Sequence, residues 1–381
     1  MSTAPSPAAA SLGSMATAPI SFARGAPSPE LIPAEELADC AHAVALKAGA
    51  PLFAYGPGGG YGPLREWLAE RHGVDAGRVV LTVGGLLGFV LYAGAQLERR
   101  PGRVLVEGPT YDRPLKLLAR EGAEVVVLPM DDDGLDPDAL EGELRRTSEE
   151  PSFLYTIPSF QNPSGRTLTE ERRRRVVEVA AEHKLDVLED DPYGLVRYEG
   201  EPPPTLHELE GGERVTYTSS FSKTVAPGLR TGYFVLPARA AAEFEERAVS
   251  TYISPPFLAQ ATIFEFLARD RFDENLARVR AGLRERRDAM LEALERSGPD
   301  GVSWNRPEGG YFLWLGLGDR ESSEVVRAAA DRGVSLIPGV DFFPRDSGLG
   351  GRGARLAFSY EPVERIAEGV ERLAGVLTSC S

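Results

Sequence analysis

The chain has 381 residues, with 42 Lys or Arg and 57 Asp or Glu, so its formal net charge is −15; this argues against nucleic acid or an anionic membrane as a partner. Cys40 and Cys380 are the only cysteines and the four histidines show no HExxH spacing, so we expect no disulfide framework, no metal and a reducing, cytoplasmic setting. No apolar run approaches the ~20 residues of a membrane helix.

In chain order, residues 1–20 are small, rich in Ala, Ser and Pro, and are expected to be a disordered tail. From residue 78 onwards, apolar stretches with β-branched residues alternate with helical patterns, which indicates a mostly parallel, doubly wound sheet. The predicted strands span residues 78–83, 103–108, 124–130, 152–158, 185–190, 214–220 and 232–237. A later strand–helix–strand stretch at 309–317, 322–334 and 355–360 resembles a βαβ unit and indicates a smaller lobe.

Polar side chains follow several of these strands, and ligands of such sheets bind at the carboxyl ends of the strands. The candidates in chain order are Gly84–Gly85 at a helix start, Tyr111, Asn162, Asp190, Tyr193, Ser220, Ser222, Lys223 and Arg230. A helix start, two hydroxyls and an arginine suit a phosphate, and a lysine amine can form a Schiff base. With a carboxylate, phenols and an amide beside them, these groups match the requirements of pyridoxal 5′-phosphate (PLP).

Lysine is scarce, which narrows the search for a reactive amine to four positions. Lys47, Lys116 and Lys184 lie in amphipathic helical patterns and suit a solvated surface. Lys223 alone follows a strand beside the predicted phosphate site, so it is the Schiff-base candidate.

Three motifs carry a resemblance to a known family: PSFQNPSG at 158–165, EDDPYG at 189–194 and SSFSKTVAPGLRTG at 219–232. The chain resembles the class I/II aminotransferases, which are fold-type-I PLP enzymes, and is most similar to the branch of 2-aminoadipate and kynurenine aminotransferases. Stretches at 21–27, 55–62 and 307–314 also fit that family in order. The resemblance implies a large domain with a mostly parallel sheet between helices and a small α/β domain. The expected parts are an N-terminal segment with part of the small domain at 21–54, the large PLP-binding domain at 55–275 and the C-terminal small domain at 276–381.

The resemblance also implies roles around the cofactor ring. Lys223 is expected to form the Schiff base and to move a proton between substrate and cofactor. Asp190 rather than Asp191 is expected to pair with the ring nitrogen, because it lies three residues before the tyrosine of the motif. Tyr193 and Asn162 are expected to donate to the ring oxygen.

For the phosphate, the resemblance implies Ser220, Ser222, Arg230 and the backbone N–H groups of Gly85 and Leu86. Relatives usually carry polar side chains where this chain reads Gly84-Gly-Leu-Leu87, so the side-chain donors are missing here. Tyr111 is expected to stack on the ring. Tyr55 is expected to reach the phosphate of a neighbouring subunit, which implies a homodimer with shared active sites.

Substrate binding is expected at Arg355, whose guanidinium can hold an α-carboxylate in a bidentate manner, together with Asn162 and Gly25. The run Arg172–Arg175 is predicted to be the solvated face of a helix and receives no function.

The sequence thus predicts a PLP-dependent enzyme that moves an amino group between an α-amino acid and a 2-oxo acid. An enzyme of the same fold that eliminates, replaces, cyclises or forms a carbon–carbon bond remains the alternative, because the fold does not settle the reaction. Regulators that join a DNA reader to this fold are a third class. The short tail before the fold and the acidic charge argue against them.

Overall fold

The computed structural model describes residues 19–379, so residues 1–18 of the predicted tail lie outside the described range. The tail prediction was wrong at its last residue, Ile20, which is fully buried and pairs with Val334. The strands are β1 (Ile20–Ser21), β2 (Val79–Thr82), β3 (Arg103–Gly108), β4 (Glu124–Asp131), β5 (Gly134–Leu135), β6 (Phe153–Thr156), β7 (Val187–Asp190), β8 (Val215–Ser220), β9 (Gly232–Val235), β10 (Ser303–Trp304), β11 (Phe312–Gly316), β12 (Val334–Ser335), β13 (Ile337–Pro338) and β14 (Gly353–Ala357). The helices are α1 (Ala34–Ala48), α2 (Gly62–His72), α3 (Gly85–Arg99), α4 (Asp112–Arg120), α5 (Pro137–Arg146), α6 (Glu170–Glu182), α7 (Leu206–Glu210), α8 (Ala238–Tyr252), α9 (Phe257–Ala268), α10 (Arg271–Ser297), α11 (Ser322–Asp331) and α12 (Val363–Ser379). Within 19–379 no helix is long and apolar enough to cross a membrane.

The large sheet has eight strands in the order β2-β9-β8-β7-β6-β3-β4-β5. Strands β8, β7, β6, β3 and β4 pair in parallel, which confirms the mostly parallel sheet. Strand β9 is antiparallel to both of its neighbours. Only residues 221–231 connect β8 to β9, which is too short for the helical crossover that a parallel pair requires.

The smaller sheet has the order β10-β11-β14-β13 and is antiparallel throughout. The predicted βαβ unit was therefore wrong in strand direction, because β11 and β14 are antiparallel neighbours although α11 lies between them in sequence. Strand β1 pairs in parallel with β12, so the two ends of the chain meet in this lobe.

Separate apolar clusters underlie the two lobes, and α10 contributes to one cluster in each lobe. Its first half contributes Phe272 and Leu276 to the core of the large sheet, whereas its second half contributes Met290 and Leu294 to the core of the small one. The expected boundary at residue 275 thus falls inside one continuous helix. Likewise, the predicted segment 21–54 divides, since β1 joins the small lobe while α1 packs on α9.

The arginine run of α6 differs from its predicted solvated face at one position. Arg173 is fully buried, whereas its neighbours Arg172 and Arg174 are in contact with solvent. Its guanidinium donates to the carbonyls of Leu168 and Pro158, both at 2.9 Å. Arg173 therefore ties α6 to the loop that follows β6.

Candidate active site

A cleft of about 350 Å³ opens at the carboxyl ends of the central strands of the large sheet. It brings together the predicted residues Gly25, Gly85, Leu86, Tyr111, Asn162, Asp190, Tyr193, Ser220, Ser222, Lys223, Arg230 and Arg355. Tyr55 is the exception: it lies away from this cleft with 82% of its surface exposed. The residues that the strand-end argument selected thus share one cleft, whereas Tyr55 does not line it.

Lys223 lies in the turn after β8, and its side chain is enclosed by backbone and aromatic rings. The amine donates to the carbonyl of Gly25 at 2.8 Å and lies 5.1 Å from the ring centroid of Tyr311. Burial lowers the pKa of Lys223 to about 8, and Arg355 and Arg230 add to that effect. A lysine with this pKa is partly neutral near physiological pH, as a nucleophilic amine must be.

Asp190 ends β7 inside the cleft, and one carboxylate oxygen is held from behind. The hydroxyl of Tyr155 donates to Oδ2 at 2.7 Å. Burial raises the pKa of Asp190 to about 7, while the Tyr155 hydrogen bond and Lys223 oppose that rise. The Asp190 carboxyl group is therefore partly protonated near neutral pH, and a positively charged group beside it favours the anionic form.

Asp191 lies just beyond β7 and is not among the residues that line the cleft. Its carboxylate accepts hydrogen bonds from the backbone N–H of Gly194 at 2.8 Å and from the Tyr217 hydroxyl at 3.1 Å. These partners fix the turn after β7. The geometry therefore agrees with the choice of Asp190 over Asp191.

At the opposite end of the cleft, Arg230 lies directly against Gly84. A Cβ on Gly84, whose φ is +79°, would overlap the Arg230 guanidinium. Helix α3 begins at Gly85 without a side-chain cap, and the first N–H groups of a helix have no partner within it. Arginine and free N–H groups together form an anion site.

The small lobe contributes Arg355, which is 7% exposed. One Nη donates to Asn162 Oδ1 at 3.0 Å and the other to the carbonyl of Ala23 at 2.6 Å. The guanidinium carbon lies 4.4 Å from the ring centroid of Phe312, and Nε has no partner within residues 19–379. Such a planar, partly unpaired guanidinium is suited to a carboxylate.

Two tyrosines complete the cleft. Tyr111 precedes α4, and burial raises the pKa of its hydroxyl. Tyr193 is 4% exposed and packs its ring against Tyr311 and Phe312 at centroid distances of 5.5 and 5.6 Å. Burial also raises the pKa of Tyr193 well above its usual range, so its hydroxyl stays a neutral donor.

Sequence reasoning missed three residues at the site. They are Tyr155, an interior strand position, and the neighbours Tyr311 and Phe312, for which the motifs imply no role. The Tyr311 hydroxyl donates to the backbone carbonyl of Lys223 at 3.0 Å. A signal did exist for Tyr311 and Phe312, because both lie in the family-like stretch at 307–314.

The residues present fit PLP. The cleft joins an amine of lowered pKa, a half-buried carboxylate, and an arginine that lies against a glycine at a helix start. These match an aldehyde, a ring nitrogen and a phosphate, respectively. The fit rests on the chemical types of these groups and on their position in one cleft.

Comparison with known proteins gives the family. Residues 20–348 match the model of aminotransferase class I and II. The aromatic-amino-acid aminotransferase 1 of Thermococcus litoralis is 34% identical, over 93% of this chain and 87% of that protein.

Solved structures agree. The α-aminoadipate aminotransferase of Thermus thermophilus, complexed with N-(5′-phosphopyridoxyl)-L-leucine, has a TM-score of 0.90 at 36% identity, covering 95% of this chain and 92% of that one. The kynurenine aminotransferase of Pyrococcus horikoshii has a TM-score of 0.90 at 33% identity, covering 96% and 92%. HTH-type transcriptional regulators also match, at 25–32% identity. The chain belongs to the class I and II aminotransferases and is an amino-group transferase with the fold-type-I architecture.

Proposed function

We propose that the enzyme uses PLP to move an amino group from an α-amino acid to a 2-oxo acid, with Lys223 as the catalytic residue. The observation that carries the proposal is the half-buried Lys223 side chain in the same cleft as Asp190 and Arg230. PLP supplies an electron sink that stabilises negative charge at the substrate Cα. Lys223 supplies the group that removes and returns the proton at that carbon.

The other residues of the cleft bind and orient the cofactor. Asp190 holds the ring nitrogen in its charged form, while Tyr193 and Asn162 donate to the ring oxygen. Tyr111 covers one ring face. Arg230, Ser220, Ser222 and the N–H groups of Gly85 and Leu86 hold the phosphate. All of these residues line one cleft.

Arg355 binds the substrate α-carboxylate, with Asn162 beside it and Gly25 closing the cleft above. The 3.0 Å contact between Arg355 and Asn162 supports this pairing. A Cβ on Gly25 would lie 2.7 Å from ring atoms of Phe312, which supports a role for the glycine in close packing over the substrate.

We also propose a homodimer in which Tyr55 reaches the partner's phosphate. An exposed apolar surface supports it: Phe53 is 66%, Tyr55 82% and Ile253 54% exposed. A hydrogen bond from Gly56 N–H to the Ser254 hydroxyl brings these segments together. Sedimentation is expected to give twice the chain mass. A cytoplasmic location stays a prediction that rests on cysteine usage.

The decisive experiment is a half-reaction with single amino acids. The cofactor band at about 420 nm should fall and one near 330 nm should rise, with release of the matching 2-oxo acid. Lys223→Ala should not show the first band, whereas the surface control Lys116→Ala should behave as the wild type. Product formation without the spectral change would favour elimination or replacement. DNA binding at physiological salt would point to a regulator instead.

A further inference from the structure

Behind the cleft, Tyr155 supports the one carboxylate that faces the ring nitrogen in the proposed function. It lies on β6, fully buried, and its hydroxyl donates to Asp190 Oδ2 at 2.7 Å. Tyr155 is directly opposite Leu188 in the parallel β6–β7 pair, so Tyr155, Leu188 and Asp190 share one face of the sheet. The contact is therefore set by strand register.

The phenol is rigidly placed. Its ring lies edge-on to Phe89 of α3, with 5.3 Å between centroids. Burial and the Asp190 charge raise the pKa of Tyr155 well above its usual range, so the hydroxyl is a donor at all physiological pH values. A fixed donor on Oδ2 also fixes the plane of the carboxylate.

The second oxygen of Asp190 is left for the cleft. Within residues 19–379 no hydrogen-bond donor contacts Oδ1, and Asp190 lines the cleft beside Lys223. One oxygen is thus occupied from behind while the other faces the ligand space. This division suits a group that must stay oriented toward a ring nitrogen as the ring tilts.

We propose that Tyr155 is a positioning residue for the amino-transfer reaction, acting through Asp190 to aim and retain its negative charge. This inference rests on the proposed function of Asp190. The other titratable groups that interact electrostatically with Asp190 are Glu107 of β3, Tyr111 before α4, Asp191 and Tyr193 after β7, and Lys223 after β8. Within residues 19–379 none of them donates a hydrogen bond to the carboxylate, whereas Tyr155 does.

The neighbouring aspartate, Asp191, and its own tyrosine partner provide a matched control. Tyr217 donates to Asp191 Oδ2 at 3.1 Å, and both residues are buried outside the cleft. Tyr155→Phe and Tyr217→Phe each remove one buried hydroxyl from one aspartate. Any general effect of such a loss is common to both variants.

The test follows the pH titration of bound PLP by absorbance, together with kcat and KM for an amino donor. In Tyr155→Phe we expect the midpoint of the PLP absorbance titration to move up by about one pH unit. The reason is that the Asp190 anion, which the proposed function places at the PLP ring nitrogen, loses the hydrogen-bond donor that stabilises it. We expect kcat to fall about tenfold to a hundredfold with KM nearly unchanged. Tyr217→Phe should keep both the midpoint and kcat.

A double-mutant cycle makes the assignment specific. If Tyr155 acts through Asp190, Tyr155→Phe should add no further loss to Asp190→Asn. Full additivity, or equal behaviour of Tyr155→Phe and Tyr217→Phe, would overturn the inference. If Tyr155→Phe alone did not fold, the double variant Tyr155→Phe/Asp190→Asn can still be compared with Asp190→Asn, because neither contains a carboxylate at position 190. A further loss in the double variant would then overturn the inference. Failure of the proposed function would be distinct, since the wild type itself would then show no amino transfer.

Discussion

The two sides of the cleft are built in different ways. The cleft floor, formed by Asp190, Lys223 and Arg230, comes from consecutive strand ends of one sheet within 41 residues of sequence. The cleft wall, formed by residues 23–25, Phe312 and Arg355, joins segments separated by some 330 residues. Floor groups are placed by the large sheet, whereas wall groups belong to the small lobe, where the strands of Phe312 and Arg355 pair and Arg355 contacts Ala23.

This difference separates chemistry from binding. In the floor, burial shifts the pKa of Asp190 to about 7 and that of Lys223 to about 8, as is common for reacting groups in enclosed sites. Burial also lowers the pKa of Arg355 in the wall, but a guanidinium stays charged. The wall offers a guanidinium and backbone carbonyls that can exchange partners. We therefore expect floor variants to change kcat and wall variants to change KM.

The largest effect should come from Asp190→Asn, which removes the charge from the floor but keeps the shape. We expect kcat to fall about 10²–10³-fold, because a preorganised charge at the reacting ring is lost. Asp191→Asn is the control, since Asp191 only braces a turn, and it should retain kcat. Steady-state kinetics of both variants measure the difference, and equal losses would refute the assignment of Asp190.

Arg355→Gln should affect the wall instead. We expect KM for the amino donor to rise about 10²-fold, since a buried charged partner of the carboxylate is removed, with kcat changed only a few-fold. Arg352→Gln, three residues earlier and exposed in a salt bridge with Glu321, provides the control. A fall in kcat at unchanged KM would contradict the division into floor and wall.

The pH dependence of cofactor uptake tests Lys223 directly. Its pKa of about 8 means that the neutral, reactive amine increases as the pH rises through 8. The rate at which cofactor-free enzyme combines with PLP should rise about tenfold between pH 7 and pH 9. Rapid-mixing absorbance measures it, and a rate still climbing steeply at pH 10 would indicate an ordinary surface amine.

Gly25→Ala should give the smallest change. Its methyl group would lie 2.7 Å from the Phe312 ring, so the wall must shift slightly to accept it. We expect KM to rise about threefold to tenfold with an intact cofactor spectrum. Gly62→Ala, where a Cβ meets nothing within 4 Å, should leave KM unchanged.

The same division governs what sequence reasoning could predict. The floor followed from the strand-end argument, because Asp190 and Lys223 each come directly after an apolar run. Arg355 was placed through the family resemblance, since period-two alternation could not say which segment lies opposite it. The hydrogen bond from Arg355 to the carbonyl of Ala23 depends on a contact between two segments that are far apart in the sequence.

Other features had no local signal. Tyr155 reads as one more apolar strand residue, and only the register with β7 brings its hydroxyl to Asp190. Arg173 stands in a run of four arginines, and the carbonyls that bury it belong to the loop before α6. Helix α10 packs against one core with its first half and against the other with its second half. The sequence does not show this change, because the apolar periodicity continues through the whole helix.

Tyr311 links the two sides of the cleft. Its hydroxyl holds the backbone carbonyl of Lys223 at 3.0 Å, and the next residue, Phe312, begins the strand that pairs with the one carrying Arg355. A rotation of the small lobe must therefore either carry the Lys223 backbone with it or break this hydrogen bond. The Tyr311 hydroxyl therefore couples the position of the small lobe, which carries Arg355, to the backbone of Lys223.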